Sequence, residues 1–110
     1  MVKEEKIDLM KPTAFLINAA RGGLIDEEAL AIALKNKTIA GAALDVFEQE
    51  HTLKNHSLWG LDNVIVTPHI AGLTTEAMSI MSLECSKEIV RVKNNEEPIK
   101  WVNKKQMTKI

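Results

Sequence analysis

The chain has 110 residues, 45% of them apolar and 26% charged, with a formal net charge of −1. That length accommodates one domain or part of one. The near-neutral balance excludes the basic face of a nucleic-acid binder, and no apolar run reaches the roughly 20 residues that cross a bilayer. The single cysteine, Cys85, excludes an intrachain disulfide and a cysteine-only metal cage, and no His/Cys/Asp/Glu spacing points to a metal. The opening stretch MVKEEKIDLM is charged and lacks the apolar core of a signal peptide. The expectation is a cytoplasmic protein without membrane or nucleic-acid partners.

Three short apolar runs follow in chain order: Thr13 to Ala19, Gly41 to Phe47 and Asn63 to Thr67. Each is nearly continuous rather than alternating, the pattern of a parallel strand covered on both faces. Between the first two lies DEEALAIALKNK, in which Leu30, Ala33 and Leu34 share one helical face and Ala29 extends it. Acidic residues open this segment and Lys35 and Lys37 close it, as the helix dipole favours. Strand, helix, strand is a βαβ unit, so the first two strands are predicted to be parallel with a right-handed crossover.

The connection from Glu48 to Asp62 has no clear period and is expected to hold one short helical turn around HSLWGL. His51 and His56, within it, read as solvated. Pro68 ends the third strand, having no N–H for a ladder. Thr74 or Thr75 is placed to cap a long helix whose apolar stripe runs Ala77, Met81, Cys85, Ile89, Val92. On that stripe Cys85 reads as a core thiol. The basic tail KWVNKKQMTKI offers Trp101 and Val102 as anchors. The fold class is therefore α/β: a partial, doubly wound parallel sheet of about three strands with a long C-terminal helix. Its first strand is expected to keep an unpaired apolar edge.

In open parallel sheets ligands bind beyond the carboxyl ends of the strands. Those ends carry Arg21 after the first strand, Asp45 and Glu50 at and after the second, and His69 after the third. A guanidinium can grip a carboxylate with paired hydrogen bonds and polarise a neighbouring carbonyl. An imidazole can pass a proton to a carbonyl oxygen, and a carboxylate beside it stabilises the protonated ring. Gly22, Gly23 and Gly72 permit close backbone approach. Together these groups suit a small 2-hydroxy acid and its 2-oxo acid.

The motifs LMKPTAFLINAARGGLIDEEAL, IAGAALDVFEQE and LDNVIVTPHIAG, in this order and spacing, resemble the C-terminal third of the D-isomer-specific 2-hydroxyacid dehydrogenases, up to about Val102. The resemblance implies residues 1–93 as the C-terminal half of an NAD(P)-binding Rossmann-like domain and 94–110 as a tail. It implies Arg21 as the substrate-binding arginine, His69 as the catalytic proton donor or acceptor, and Glu50 as its carboxylate partner. Contacts to NAD or NADP would fall on Ala19, Ala20, Arg21, Asp45, His69, Ile70, Ala71 and Gly72. Where the family usually has prolines in the loop after the glutamate, this chain has His51 and Ser57. A G-x-G-x-x-G turn is absent, as is any earlier substrate domain. The expectation is a truncated oxidoreductase, inactive alone. The alternative is a non-catalytic binding or assembly module, either a homodimer or a subunit completing a separately encoded N-terminal half.

Overall fold

In the computed structural model, residues 1–50 and 54–104 are described. They fall into two compact units, Met1–Ala71 and Gly72–Ile110. The first unit contains α1 (Glu4–Ile7), β1 (Phe15–Asn18), a short 3-10 turn (Gly22–Leu24), α2 (Glu27–Lys35), β2 (Gly41–Leu44) and β3 (Val64–Val66). All three strands run parallel in the order β1-β2-β3, with Asn18 level with Leu44 and Leu44 level with Val66. The expected strand-helix-strand order with parallel β1 and β2, and the partial Rossmann-like sheet, hold. The strand ends align because parallel pairing with short crossovers returns each strand to the same edge.

Helix α2 starts where the Asp26 side chain accepts the Ala29 N–H at 3.0 Å, satisfying one of the donors a helix start leaves open. Leu30, Ala31, Ala33 and Leu34 then face inward and, with Ile7, Ile25, Ile39, Ala42, Leu44 and Leu58, form the core. At roughly 25 cal/mol per Å² of apolar area, burial of these side chains is the main stabilising contribution here. Val2 pairs with Ile25 in an isolated parallel bridge, which ties the N-terminal residues to the start of α2.

Two expectations about burial fail. The strands are not covered on both faces: in β1, Phe15 and Ile17 are 69% and 73% exposed, and in β3 Ile65, level with Ile17 across Ala43 of β2, is 68% exposed. Leu16, Ala42, Leu44 and Val64 point to the other side and pack on the core. A continuous apolar run says that both faces want cover, and the helices of the first unit cover one. Strand β1 is also a sheet edge, as expected.

The second unit is built on α3 (Thr75–Lys93), capped where Thr74 Oγ1 accepts the Ala77 N–H at 3.1 Å. No residue of α3 is buried. The stripe through Met81, Ile89 and Val92 is therefore open, and Cys85 is exposed rather than a core thiol. The tail folds along α3 through polar contacts: Glu88 accepts the Ile99 N–H at 2.8 Å, Lys100 meets Glu84 at 3.2 Å, and Arg91 meets Glu96 at 3.3 Å. Trp101 is half-buried, its indole N–H donated to the Pro98 carbonyl, whereas the other expected anchor, Val102, is fully exposed. No described helix is long and apolar enough to cross a membrane.

Candidate active site at the strand ends

Each strand end is shaped by a polar residue. Asn18 closes β1 and is buried; its amide donates to the Arg21 carbonyl at 2.9 Å and its side-chain oxygen accepts the Ala20 N–H at 3.1 Å. That pair of bonds folds residues 18–21 into a tight turn and carries Arg21 out beyond the sheet. The guanidinium is solvent-facing, with Nη1 donating to the Ala20 carbonyl at 2.6 Å. Asn18 had no assigned role in the sequence reading. Its signal was there: an amide at the end of an apolar strand must find partners once buried.

Gly22 allows the next segment to lie directly on the chain leaving β2. A Cβ at Gly22 would sit 1.9 Å from the Phe47 carbonyl carbon and 2.2 Å from the Glu48 nitrogen, so no side chain fits. Gly23 and Gly72 have no atom that close, and the expected tight approach holds for Gly22 alone.

Asp45 is buried at the end of β2 and turns toward β3. Oδ1 accepts the Thr67 hydroxyl at 2.5 Å and the Ile70 N–H at 2.9 Å, and Oδ2 accepts the Ala71 N–H at 2.9 Å. The Thr67 hydrogen bond holds the Asp45 carboxyl below its ordinary pKa; burial opposes this, while the Ala71 and Ile70 amides and the His69 ring add to the lowering. The carboxylate thus serves as the hub around which the residue 67–71 turn wraps. His69 sits in that turn with φ of 57°, the left-handed region, which costs free energy for a residue with a Cβ. The Ile70 and Ala71 amides, both donated to Asp45, offset that cost.

His69 Nδ1 lies 3.1 Å from Glu50 Oε1, and both side chains are about half exposed. With Nδ1 directed to the carboxylate, Nε2 is the nitrogen left to face solvent or a ligand. Asp45, Glu50 and His69 line one cavity of about 540 Å³ with Phe47, Trp59, Val66, Thr67 and Pro68. Arg21 does not line it and stands at the end of β1, two strands from β3. The structure therefore brings three of the four expected tip residues around one space and puts the fourth on the same edge of the sheet. Ala19 and Ala20 are exposed beside Arg21, and Ile70 is exposed after His69. Gly72 begins the second unit. No His/Cys/Asp/Glu group among the described residues is arranged to hold a metal.

The loop after β2 differs from expectation in part. It holds one hydrogen-bonded turn where one was expected, the Trp59 N–H donating to the His56 carbonyl at 3.0 Å, but His56 is not solvated: its ring is 14% exposed and bonded to Glu27. His51 lies outside the described residues.

Comparison with known proteins gives this arrangement a lineage. Residues 1–71 match the family model of the D-isomer specific 2-hydroxyacid dehydrogenase NAD binding domain. A glyoxylate reductase of Thermofilum pendens is 49% identical over 104 residues, covering 94% of this chain and 31% of that protein. The NAD-complexed D-isomer specific 2-hydroxyacid dehydrogenase of Lactobacillus delbrueckii ssp. bulgaricus superposes with a TM-score of 0.80 at 33% identity, covering 94% of this chain and 35% of that one. An NADPH-dependent glyoxylate/hydroxypyruvate reductase of Sinorhizobium meliloti, solved with NADP and malonate, gives a TM-score of 0.79 at 35% identity, covering 89% of this chain and 30% of that one. The chain thus spans about a third of the length of these relatives. With the family model matching well over half of its residues, the chain belongs to the D-isomer specific 2-hydroxyacid dehydrogenases, within their NAD-binding domain.

Proposed function

We propose that this chain supplies the carboxyl-terminal portion of an NAD(P)-dependent 2-hydroxyacid dehydrogenase centre and is catalytically silent by itself. The observation that carries the reading is the Glu50–His69 pair, 3.1 Å apart at the carboxyl edge of a parallel sheet. In this reading Arg21 grips the carboxylate of a small 2-oxo or 2-hydroxy acid through its forked N–H groups. His69 holds or takes the proton at Nε2, facing the substrate oxygen, while Glu50 on Nδ1 keeps the ring oriented. A bound nicotinamide would supply or accept the hydride.

The rim suits the ring end of such a cofactor. Ala19, Ala20, Arg21, His69, Ile70, Ala71 and Gly72 would lie along it, and Asp45 would act mainly by holding the turn, since both its oxygens are engaged. It does not suit the pyrophosphate, because no G-x-G occurs in the sequence to bring backbone amides against phosphates. Hydride transfer requires both reactants held together in a cleft poor in water. Turnover then depends on a complementary portion that brings the phosphate site and a substrate domain. The bare sheet face, with Phe15, Ile17 and Ile65, and the open edge of β1 favour that portion as the partner; the proposed setting is the cytoplasm. The same open edge favours a second reading, a non-catalytic assembly module that pairs with its own copy.

The test is complementation. The 110-residue chain is mixed or co-expressed with the N-terminal two-thirds of the Thermofilum pendens relative, and NAD(P)H-dependent reduction of small 2-oxo acids is followed. Expected are no turnover by either part, turnover by the pair, and its loss in His69→Ala and Arg21→Ala. Turnover by the chain alone overturns its silence. A stable homodimer that ignores the complementary portion favours the assembly reading.

A further inference from the structure

We infer that Glu27 and His56 form a clasp that positions Glu50, an inference that rests on the reading of Glu50 and His69 given above. The pair Glu50–His69 needs such help. Its side chains are 59% and 48% exposed, so packing restrains them little, and their meeting depends on where the backbone puts Glu50. Glu27, in the first turn of α2, ties down the segment that carries Glu50 at two points. Its Oε1 accepts the Glu48 N–H at 2.6 Å, and its Oε2 receives His56 Nε2 at 2.9 Å. One carboxylate thus holds the chain on both sides of residue 50.

The clasp is itself fixed. Glu27 and His56 are only 11% and 14% exposed, so neither group retains water enough to leave the other. The His56 ring lies edge-on to Phe47, with centroids 5.7 Å apart, and tilted against Trp59 at 5.2 Å. Leu58, fully buried, anchors the far end, and its N–H donates to His56 Nδ1 at 3.3 Å. Ser57 adds a hydroxyl bond to Glu28 Oε1 at 3.0 Å, so the serine where the family usually has proline contributes a tether to the same helix. The near end is pressed by Gly22, whose missing side chain lets the post-Arg21 segment lie on Phe47 and Glu48. Glu27 and His56 are positioning residues: Glu27 touches Glu48 and His56, and the pair acts on His69 through Glu50.

The hydrogen bonds dictate a tautomer. Nδ1 must be bare to accept from Leu58, so the neutral ring carries its proton on Nε2 and donates it to Glu27. Imidazole nitrogen NMR of the wild-type chain reads this directly, and Nε2–H is expected, slow to exchange with water. In Glu27→Gln the amide keeps the bond to Glu48 but cannot accept from His56, and exchange of that proton should speed up about tenfold, the loss of one hydrogen bond to a charged group. In Glu27→Ala the His69 imidazole resonances should move to those of Glu50→Gln, and His56→Gln, which can still donate to Glu27, should keep them near wild type. Leu34→Ala, which loosens the shared core without removing any hydrogen bond of the clasp, should leave them in place. An Nδ1–H tautomer in wild type overturns the clasp, and so do His69 resonances unmoved in Glu27→Ala. If Glu27→Ala does not fold, the wild-type tautomer and Glu27→Gln decide. Complementation reads the catalytic roles separately, so a silent complex with an intact His56 signature rejects the function and leaves the clasp.

Discussion

Two helices of this chain carry comparable apolar stripes and meet opposite fates. Helix α2 buries Leu30, Ala31, Ala33 and Leu34 in the first unit, whereas the nineteen residues of α3 in the second bury none. Both begin with a side-chain cap, Asp26 in one and Thr74 in the other. Local chemistry starts both helices, and only tertiary packing separates them. An amphipathic pattern names the face that needs cover without saying which part of the protein covers it.

The largest test of that contrast is a pair of truncations. Leu34→Ala should destabilise the first unit by about 3 kcal/mol, through lost transfer energy and the cavity left in a packed core. Ile89→Ala, 64% exposed in α3, should stay within about 0.5 kcal/mol, as surface changes do. Urea unfolding followed by circular dichroism measures both, and hydrogen exchange should show α2 protected and α3 open. A large penalty at Ile89 would mean that α3 is covered in solution.

A smaller effect comes from the caps. Asp26→Ala and Thr74→Ala each remove a side-chain acceptor from a helix start, at about 1 kcal/mol. In α2 the loss should appear in the unfolding midpoint. In α3, which lacks buried side chains, it should appear as lost helicity instead. Equal behaviour in the two would erase the contrast.

Smallest is the response to acid. Asp45 and Glu84 both have lowered carboxyl pKa values, Asp45 chiefly through Thr67 and Glu84 chiefly through Lys87 and then Lys100. A carboxyl lowered in the folded state stabilises fully above its unfolded pKa, and that contribution is lost as pH falls through the folded value. Stability of the first unit should therefore fall below about pH 4, the ordinary Asp range, and Asp45→Asn should flatten that fall. Glu84→Gln should change the acid response only at low salt, because its partners are on the surface.

Much of the candidate site was legible before the fold. Arg21, Glu50 and His69 stand out as charged or titratable residues just past apolar runs, and parallel pairing brings their strands to one edge because short crossovers leave no other arrangement. What escaped was importance that is relational. Asn18, given no role from the sequence, shapes the turn of residues 18–21, and Asp45, named as a strand-end residue, acts as a hub through a loop more than twenty residues away. His56 read as solvated because its partner, Glu27, is 29 positions distant and looked like an ordinary helix-opening acid. Residue type alone does not reveal which buried acceptor finds which donor.

The amino-acid sequence by itself determined the three strands, α2 and α3, a threonine cap for α3 and the strand-end residues, since periodicity and cap chemistry act over a few residues at a time. Only the tertiary structure decided which apolar faces are covered, how Asp45 holds His69 in a left-handed turn, and how Glu27 and His56 bracket Glu50. Those outcomes depend on meetings between distant segments, where burial strips water from a polar group and leaves its free energy to whichever partner the packing delivers.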